Sequence, residues 1–283
     1  MKDFVVTFTT NMQDHNRLKQ LVASLDGEFN PGALEELWRE GTRRVGRALE
    51  RVRRPRAAVG VADSPLGRLL VARSERGVVL IAYLDDGIAV APALAKLRHA
   101  FDPAEDPDAA NKVAAEIRRY LSGDAAALRH DVDLTLAGGH FGKRVLGRLM
   151  AVPRGALISY RALGDAAGAP QSARAVGGAM HRNPLPVYVP CHRVIAAGGG
   201  LGGYAGGMAR KLQLLRSEGF AIEDAAGPRL AGDTVWGHRQ AKIYCRMDCR
   251  AALRADRARM LFFADARAAE QAGMRPCKLC RPA

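Results

Sequence analysis

The sequence predicts a mixed α/β chain with more than one domain, and three observations predict it. Its 283 residues are long for one compact core and comfortable for two or three small ones. From residue 58 onward, short alternating apolar segments are broken by turn residues and then give way to helical periodicity. The stretch 233–283 holds four of the five cysteines in two close pairs, the pattern of a small unit organised by a metal.

Residues 1–56 read as a helical extension of unassigned role. Phe4 to Thr9 alternates, and Leu18, Leu21, Val22 and Leu25 recur at helical spacing. Asn30 and Pro31 suit the cap and first position of a second helix, on which Leu34, Leu37, Trp38, Val45 and Leu49 trace one apolar stripe. Residues 57–138 read as an α/β scaffold. Val59 and Val61, Gly67 to Ala72 and Gly77 to Tyr83 make antiparallel strands with turns at Ser64-Pro65 and Arg76-Gly77. Helices follow at about 92–100 and 109–121, and Asp131 to Leu136 alternates as one more strand.

Residues 139–222 read as helical. A helix over 141–150 is ended by Pro153 and Gly155, and Ser159 caps a short helix over 160–167. Gly168-Ala169-Pro170 then turns the chain into a helix over 171–182, stopped by Asn183-Pro184, which is helix-turn-helix spacing. Gly177 and Gly178 cost this second helix about 1 kcal/mol each in propensity. Small residues there let a backbone come close to another molecule.

Charge indicates which molecule. Lys and Arg number 43 against 29 Asp and Glu, for a net charge of +14, so nucleic acid is the leading partner. No run of eighteen uncharged apolar residues occurs and Met1 to Thr10 has no signal-type apolar core, so a cytoplasmic, nucleoid-associated protein is expected. Five cysteines in a reducing compartment favour metal or catalytic thiols over disulfides.

The fifth cysteine lies in Pro186-Val187-Tyr188-Val189-Pro190-Cys191-His192-Arg193-Val194-Ile195, where a β-branched and aromatic run delivers a thiol onto a turn beside a histidine. A free thiol is only a few per cent thiolate at neutral pH, so a nucleophilic cysteine needs a base or a cation nearby; His192 and Arg193 are candidates. A buried cysteine on a strand is the other reading of the same run.

In order along the chain come Ser159-Tyr160-Arg161-Ala162-Leu163, Arg174-Ala175-Val176-Gly177-Gly178-Ala179-Met180, Asn183-Pro184, Pro190-Cys191-His192-Arg193-Val194, Gly203-Tyr204 and the block from Lys211 to Glu218. Over roughly residues 141–219 the sequence thereby resembles the O6-alkylguanine-DNA alkyltransferase family. The resemblance implies a ribonuclease-H-like N-terminal α/β domain and a helix-turn-helix, winged-helix-like alkyltransferase domain. It also implies a methylated-DNA-[protein]-cysteine S-methyltransferase that acts once on double-stranded DNA with alkylated bases. By the same carry-over Cys191 accepts the alkyl group, His192 and Glu218 activate it through a water, Asn183 braces the site and Tyr160 serves the leaving base. Arg174 fills the vacated stack, and Met180, Val194, Tyr204 and Ala205 line the base pocket; independently of the resemblance, Arg182 on the same small-residue helix of this basic chain reads as a further DNA contact. Leu146, Gly142 and Ala205 stand where the family usually has tryptophan, glutamine and serine.

Beyond a linker at 223–232, Cys245-x3-Cys249 and Cys277-x2-Cys280 suit a tetrahedral Zn2+ site, with no organic cofactor expected. Lys242 to Arg246, Phe262-Phe263-Ala264 and Gly273 to Lys278 resemble the Ada-type zinc-binding domain family, a small α/β module with a four-cysteine zinc site. That resemblance makes Cys245 a second candidate methyl acceptor. The alternative of another class is a non-enzymatic alkylation-damage sensor or an Ada-like transcriptional regulator. Sensor-like relatives replace the acceptor cysteine, which is intact here, and no AraC-type region is readable.

Overall fold

The structure, a computed structural model, describes residues 31–52, 54–85, 90–196, 200–223, 227–230, 233–238, 240–250 and 260–282. Two compact units divide the chain, Met1–Arg53 and Arg54–Ala283. In the first, the expected second helix forms as α1, Pro31–Val52. Trp38 and Val45 of its apolar stripe are 52% and 59% exposed, so that stripe is not wholly buried. The strand expected at 4–9 and the helix expected at 18–25 lie outside the described residues.

The second unit opens with a four-stranded sheet ordered β3-β2-β1-β4. Strands β1 (Arg56–Ser64), β2 (Gly67–Ser74) and β3 (Gly77–Tyr83) form the antiparallel meander that the alternation predicts. Helix α2, Val90–Arg98, leads to a strand the sequence concealed, β4 (Asp102–Glu105), parallel to β1. Asp106 then caps α3, Pro107–Leu121, through a bond from the Ala109 amide, and Pro107 stands where a missing N–H costs nothing. Buried Ala110, Val113, Ala114 and Ile117 face the sheet.

The strand expected at 131–136 is corrected. Only Val132 bridges to Val78, and Leu134–Leu136 is a 3-10 turn. The Asp133 carboxylate accepts from the Thr135 amide at 3.0 Å and from the Thr135 and Ser74 hydroxyls at 2.6 and 2.7 Å, so local side-chain bonds outcompete a strand ladder.

Helix α4 (His140–Met150), strand β5 (Ala156–Ser159), helix α5 (Tyr160–Ala166) and helix α6 (Ala173–His181) follow. Ser159 caps α5 as read, accepting from the Ala162 amide at 3.1 Å. Gly142 and Leu146 now have reasons. A Cβ at 142 would run into the Ala137 carbonyl, and Leu146 is fully buried.

Strand β6 (Val194–Ile195) lies parallel to β5, and α7 (Met208–Ser217) comes next. A small ladder of β7 (Ile222–Glu223) and β8 (Arg229–Leu230) precedes the cysteine-rich region. There β9 (Val235–His238), β10 (Ile243–Arg246), β11 (Leu261–Phe263), α8 (Ala266–Gln271) and β12 (Arg275–Pro276) complete the chain. Four of these strands join β5 and β6 in one sheet ordered β12-β10-β9-β11-β5-β6.

Gly77 begins β3 at a φ of +130° and leaves no room for a Cβ beside the Asp131 carbonyl, which accepts from the Val78 amide at 2.8 Å. Gly77→Ala is expected to lower the unfolding free energy by about 2 to 4 kcal/mol. Chemical denaturation should show the midpoint fall with an unchanged slope.

Candidate active site

The chain from α6 to β6 is folded around Asn183. Its carbonyl oxygen accepts from the Leu185 amide at 3.0 Å, and its NH2 group donates to Val189 O at 2.9 Å and to Cys191 Sγ at 3.0 Å. Residues 185–190 are turn rather than strand. Val187 sits at a φ of +76°, costly for a β-branched residue, and the Val189 amide closes on Leu185 O at 2.8 Å. The scaffold sheet grips this loop: the Ile81 amide donates to Pro184 O at 2.7 Å, and the Tyr188 hydroxyl to buried Glu116 at 2.5 Å. Cys191–Arg193 is then a 3-10 turn, and Cys191 is buried on it.

His192 and Glu218 meet as the resemblance implies, fully inside the protein. His192 Nε2 lies 2.6 Å from Glu218 Oε1. The same carboxylate accepts from the Tyr120 hydroxyl at 2.5 Å, from Arg193 Nε at 3.0 Å to Oε2, and from the Gly155 amide at 3.3 Å. Burial alone would raise its pKa. The Arg193 charge and the hydrogen bonds from His192 and Arg193 overturn that and hold it well below the usual carboxylate range. Burial keeps the His192 ring neutral despite Glu218. An ionised acceptor at Nε2 assigns the ring proton to that nitrogen and leaves the Nδ1 lone pair free to take a proton. Nδ1 is buried with no hydrogen-bond partner among the described residues.

Arg193 corrects the expectation that it could activate the thiol. Its guanidinium is spent on Glu218, the Tyr120 hydroxyl at 2.7 Å and Val152 O at 2.5 Å. The cation that acts on Cys191 is Lys211, fully buried, donating to Val194 O at 2.8 Å and Leu201 O at 2.5 Å; burial brings its pKa down to about 8. Burial pushes the Cys191 thiol up, while Asn183, Lys211 and a hydrogen bond from Tyr204 pull against it.

Sequence reasoning missed Tyr83, which ends a scaffold strand. Its hydroxyl lies 3.1 Å from that of Tyr204, the Arg210 guanidinium stacks 4.3 Å from its ring centre, and Asp85 pairs with Arg210. Burial raises the Tyr83 pKa to about 12, so the hydroxyl keeps its proton. Neither Tyr83 nor Tyr120 lies in a local motif; only the fold brings them here.

Tyr160 is half-buried between Gly177 of α6 and Gly202, whose φ is +67°. A Cβ at Gly202 would lie 3.6 Å from the Tyr160 hydroxyl. Arg174, Arg182 and Ala205 are exposed, whereas Met180 and Val194 are buried.

The four remaining cysteines converge. Cys245 lies on β10, Cys249 follows the next turn, and Cys277 and Cys280 follow β12; their sulfurs all lie within 4.8 Å of one another. The Cys277 amide donates to Tyr244 O at 2.9 Å and the Cys249 amide to Arg246 O at 3.1 Å, so the ladder itself sets the ligand positions. Four sulfurs this close fit a tetrahedral metal with bonds of about 2.3 Å.

This geometry can be tested at two side chains. Tyr83→Phe removes the hydroxyl paired with Tyr204 and leaves the ring; Cys191 alkylation should slow about fivefold at neutral pH, one net hydrogen bond, with its pH profile moved upward and the melting temperature nearly unchanged. Glu218→Gln should cost about 3 kcal/mol at pH 7, since it leaves Arg193 buried without its countercharge. The folded pKa of Glu218 is depressed, so its contribution is complete above the unfolded value of about 4.3 and fades as pH falls toward the folded one. Denaturation of both proteins from pH 7 to pH 3 should show the gap narrowing below about pH 4.

Residues 58–134 match the family described as 6-O-methylguanine DNA methyltransferase, ribonuclease-like domain, and residues 140–220 match its DNA binding domain. Residues 222–283 match the metal binding domain of Ada. A human methylated-DNA-protein-cysteine methyltransferase is 38% identical over 56% of this chain and 79% of its own length. The Escherichia coli bifunctional transcriptional activator/DNA repair enzyme Ada is 38% identical over 56% of this chain, which spans only 44% of that relative. A crystal structure of Mycobacterium tuberculosis OGT in complex with DNA is 34% identical, covering 57% of this chain and 92% of its own at a TM-score of 0.48. The matched domains and the extent of the human relative that is covered place this chain in the methylated-DNA-protein-cysteine methyltransferase family.

Proposed function

We propose that the chain repairs double-stranded DNA by moving an alkyl group from O6 of guanine to Cys191, once per molecule. The observation that carries this reading is the buried relay in which Asn183 holds the sulfur while Glu218, ionised and saturated with donors, fixes the neighbouring His192 ring. The thiol stays protonated in its buried resting site. As attack begins, its proton passes through a water to His192 Nδ1, and Glu218 stabilises the imidazolium that results. Sulfur then forms a bond to the alkyl carbon, the carbon–oxygen bond breaks, and its electron pair stays on guanine, hydrogen-bonded by Tyr160. A thioether does not release its methyl, so no turnover follows.

Arg174, exposed on α6, fills the stack that the extruded guanine leaves, Arg182 holds a phosphate, and Met180, Val194, Tyr204 and Ala205 surround the base. The functional divisions are an extension at 1–56, a scaffold at 57–138, the transferase region at 139–222, a linker at 223–232 and the metal module at 233–283. Among the described residues no helix is long and apolar enough to cross a membrane, and the proposed place of work is the cytoplasm, on the nucleoid. Cys245, Cys249, Cys277 and Cys280 would hold Zn2+, which when bound keeps all four sulfurs as thiolates. Cys245 and Cys280 are partly exposed while Cys249 and Cys277 are buried, and of the two partly exposed sulfurs the resemblance of Lys242 to Arg246 to the Ada-type domain favours Cys245 as a second methyl acceptor.

Intact mass spectrometry after mixing with DNA containing O6-methylguanine should show one methyl, on the Cys191 peptide. Cys191→Ser should lose transfer and keep DNA binding, because a hydroxyl yields almost no anion at neutral pH; undiminished transfer would end the mechanism. Arg174→Ala should slow repair of duplex DNA more than transfer from free alkylguanine, since only the duplex requires extrusion, at a few kcal/mol. DNA bearing methylphosphotriesters and no alkylguanine, given to zinc-loaded Cys191→Ser protein, should place a methyl on the Cys245 peptide; full zinc occupancy with no methyl leaves Cys245 structural.

A further inference from the structure

The cysteine-rich region does not stand apart from the alkyl-transfer site, because β11 is hydrogen-bonded to β5. Leu261 pairs with Ile158, Phe262 with Leu157 and Phe263 with Ala156, while on its other edge β5 pairs with β6, the strand that leaves Cys191-His192-Arg193. These partners belong to segments matched by two different families, so neither family's fold by itself contains the pair.

The contact continues past the strands to the carboxylate that organises the site. The Ala264 amide, directly after β11, donates to Gly155 O at 3.1 Å, and the Gly155 amide donates to Glu218 Oε2 at 3.3 Å. Gly155 is held at a φ of +74°, and a Cβ there would meet the Ala268 side chain of α8 and the Glu218 carbonyl, both at 3.6 Å. Asp265 fixes that end of α8 through a 2.7 Å bond from the Ala268 amide. Residues next to Gly155 hold other parts of the relay: Val152 O accepts from Arg193, and Arg154 donates to Tyr120 O at 2.9 Å and to Ser217 O.

The metal cysteines reach the same sheet by packing. Cys249 and Cys277 are buried in one apolar cluster with Phe262, Trp236, Leu157, Ile195, Leu215 and Phe220. Cys245 lies on β10, which reaches β11 through β9.

We propose that the metal module is a working part of the alkyl-transfer site: Ala264 and Gly155 are positioning residues for Glu218, and occupancy of the four-cysteine site keeps them in place. The metal half rests on the reading of those cysteines as a zinc site; the clamp formed by Ala264, Gly155 and Glu218 does not. Loss of metal would free the ladder β12-β10-β9-β11, leave β5 an edge strand, and let Gly155 swing away from the carboxylate. Transfer from alkylguanine would then depend on a metal that takes no part in its chemistry.

The experiment uses the full chain in three forms: zinc-loaded, stripped with a chelator, and zinc-loaded Ala264→Pro, which loses only the N–H that holds Gly155 and suits the extended residue before it. Zinc content, melting, amide exchange of residues 156–159 and the pH profile of Cys191 alkylation, followed on its own peptide, are measured for each. The stripped chain should exchange those amides at least 100-fold faster than the loaded chain. In both altered forms the alkylation profile should move to higher pH and the neutral rate should fall on the order of 10- to 100-fold, as a misplaced relay requires. A purely structural module would lower the melting temperature and leave the alkylation profile where it was.

A stripped chain with unchanged exchange and profile overturns the metal half. An Ala264→Pro protein with full zinc, a normal melting transition and an unchanged profile overturns the clamp; if that variant does not fold, the stripped wild type decides alone. A chain that takes up no zinc refutes the zinc reading of the cysteines, while Ala264→Pro still judges the clamp.

Discussion

A buried carboxylate is the constraint on which the rest of this structure depends. Taking Glu218 out of water would cost several kcal/mol if it were left alone, and a charge so placed survives only when it is paired and its lone pairs are filled. Here the donors come from separate places in sequence: Tyr120 at the end of α3, Gly155 before β5, and His192 and Arg193 on the turn after Cys191, with Glu218 itself closing α7. None of these segments can shift without stranding the charge. The His192 ring beside Cys191 is therefore held by the same bonds that hold the domain together, and its geometry exists before any DNA arrives.

The surroundings of the thiol follow a different logic. Cys191 is buried, which disfavours its anion, yet Lys211, Asn183 and the Tyr204–Tyr83 pair stand ready for the charge when it forms. A free thiolate at rest would react with any passing oxidant or electrophile; a buried thiol whose anion is disfavoured is protected from such side reactions. The scaffold domain has a part in this. Tyr83 and the Ile81 amide are contributed by β3, so the block that sequence reading left without chemistry touches both the thiol's hydrogen-bond chain and its loop.

What was legible in the sequence was what is local. The meander β1 to β3, helix α5 with its Ser159 cap and helix α6 can be read from spacing because their determinants lie within a few residues of one another, and each short motif between Ser159 and Glu218 is readable as part of a family resemblance. Three features could not be. Asp131 to Leu136 alternates like a strand, but Asp133 turns its carboxylate onto Thr135, and alternation cannot announce a side-chain cap. Strand β4, with two acidic residues and a proline, has no β propensity of its own and forms because β1 offers it an edge. Strand β5 is four residues long, too short for periodicity, and its partner on one edge lies about a hundred residues further along the chain.

That last strand decides how the C-terminal region should be regarded. Along β5 the side chains alternate, so Ala156 and Ile158 join the cluster that contains Cys191 and Val194, while Leu157 joins the one that contains Ile195, Cys249 and Cys277. Phe263 and Phe262 on β11 divide between the same two clusters in the same way. A sheet whose two faces are both buried cannot slip by one residue, because every side chain would change faces. The register between the transferase strand and the metal module is thus fixed from both sides. A tethered bead would leave β5 with an open edge; here that edge is covered, and the cluster holding Cys249 and Cys277 also holds Ile195, which closes the strand beginning immediately after Arg193.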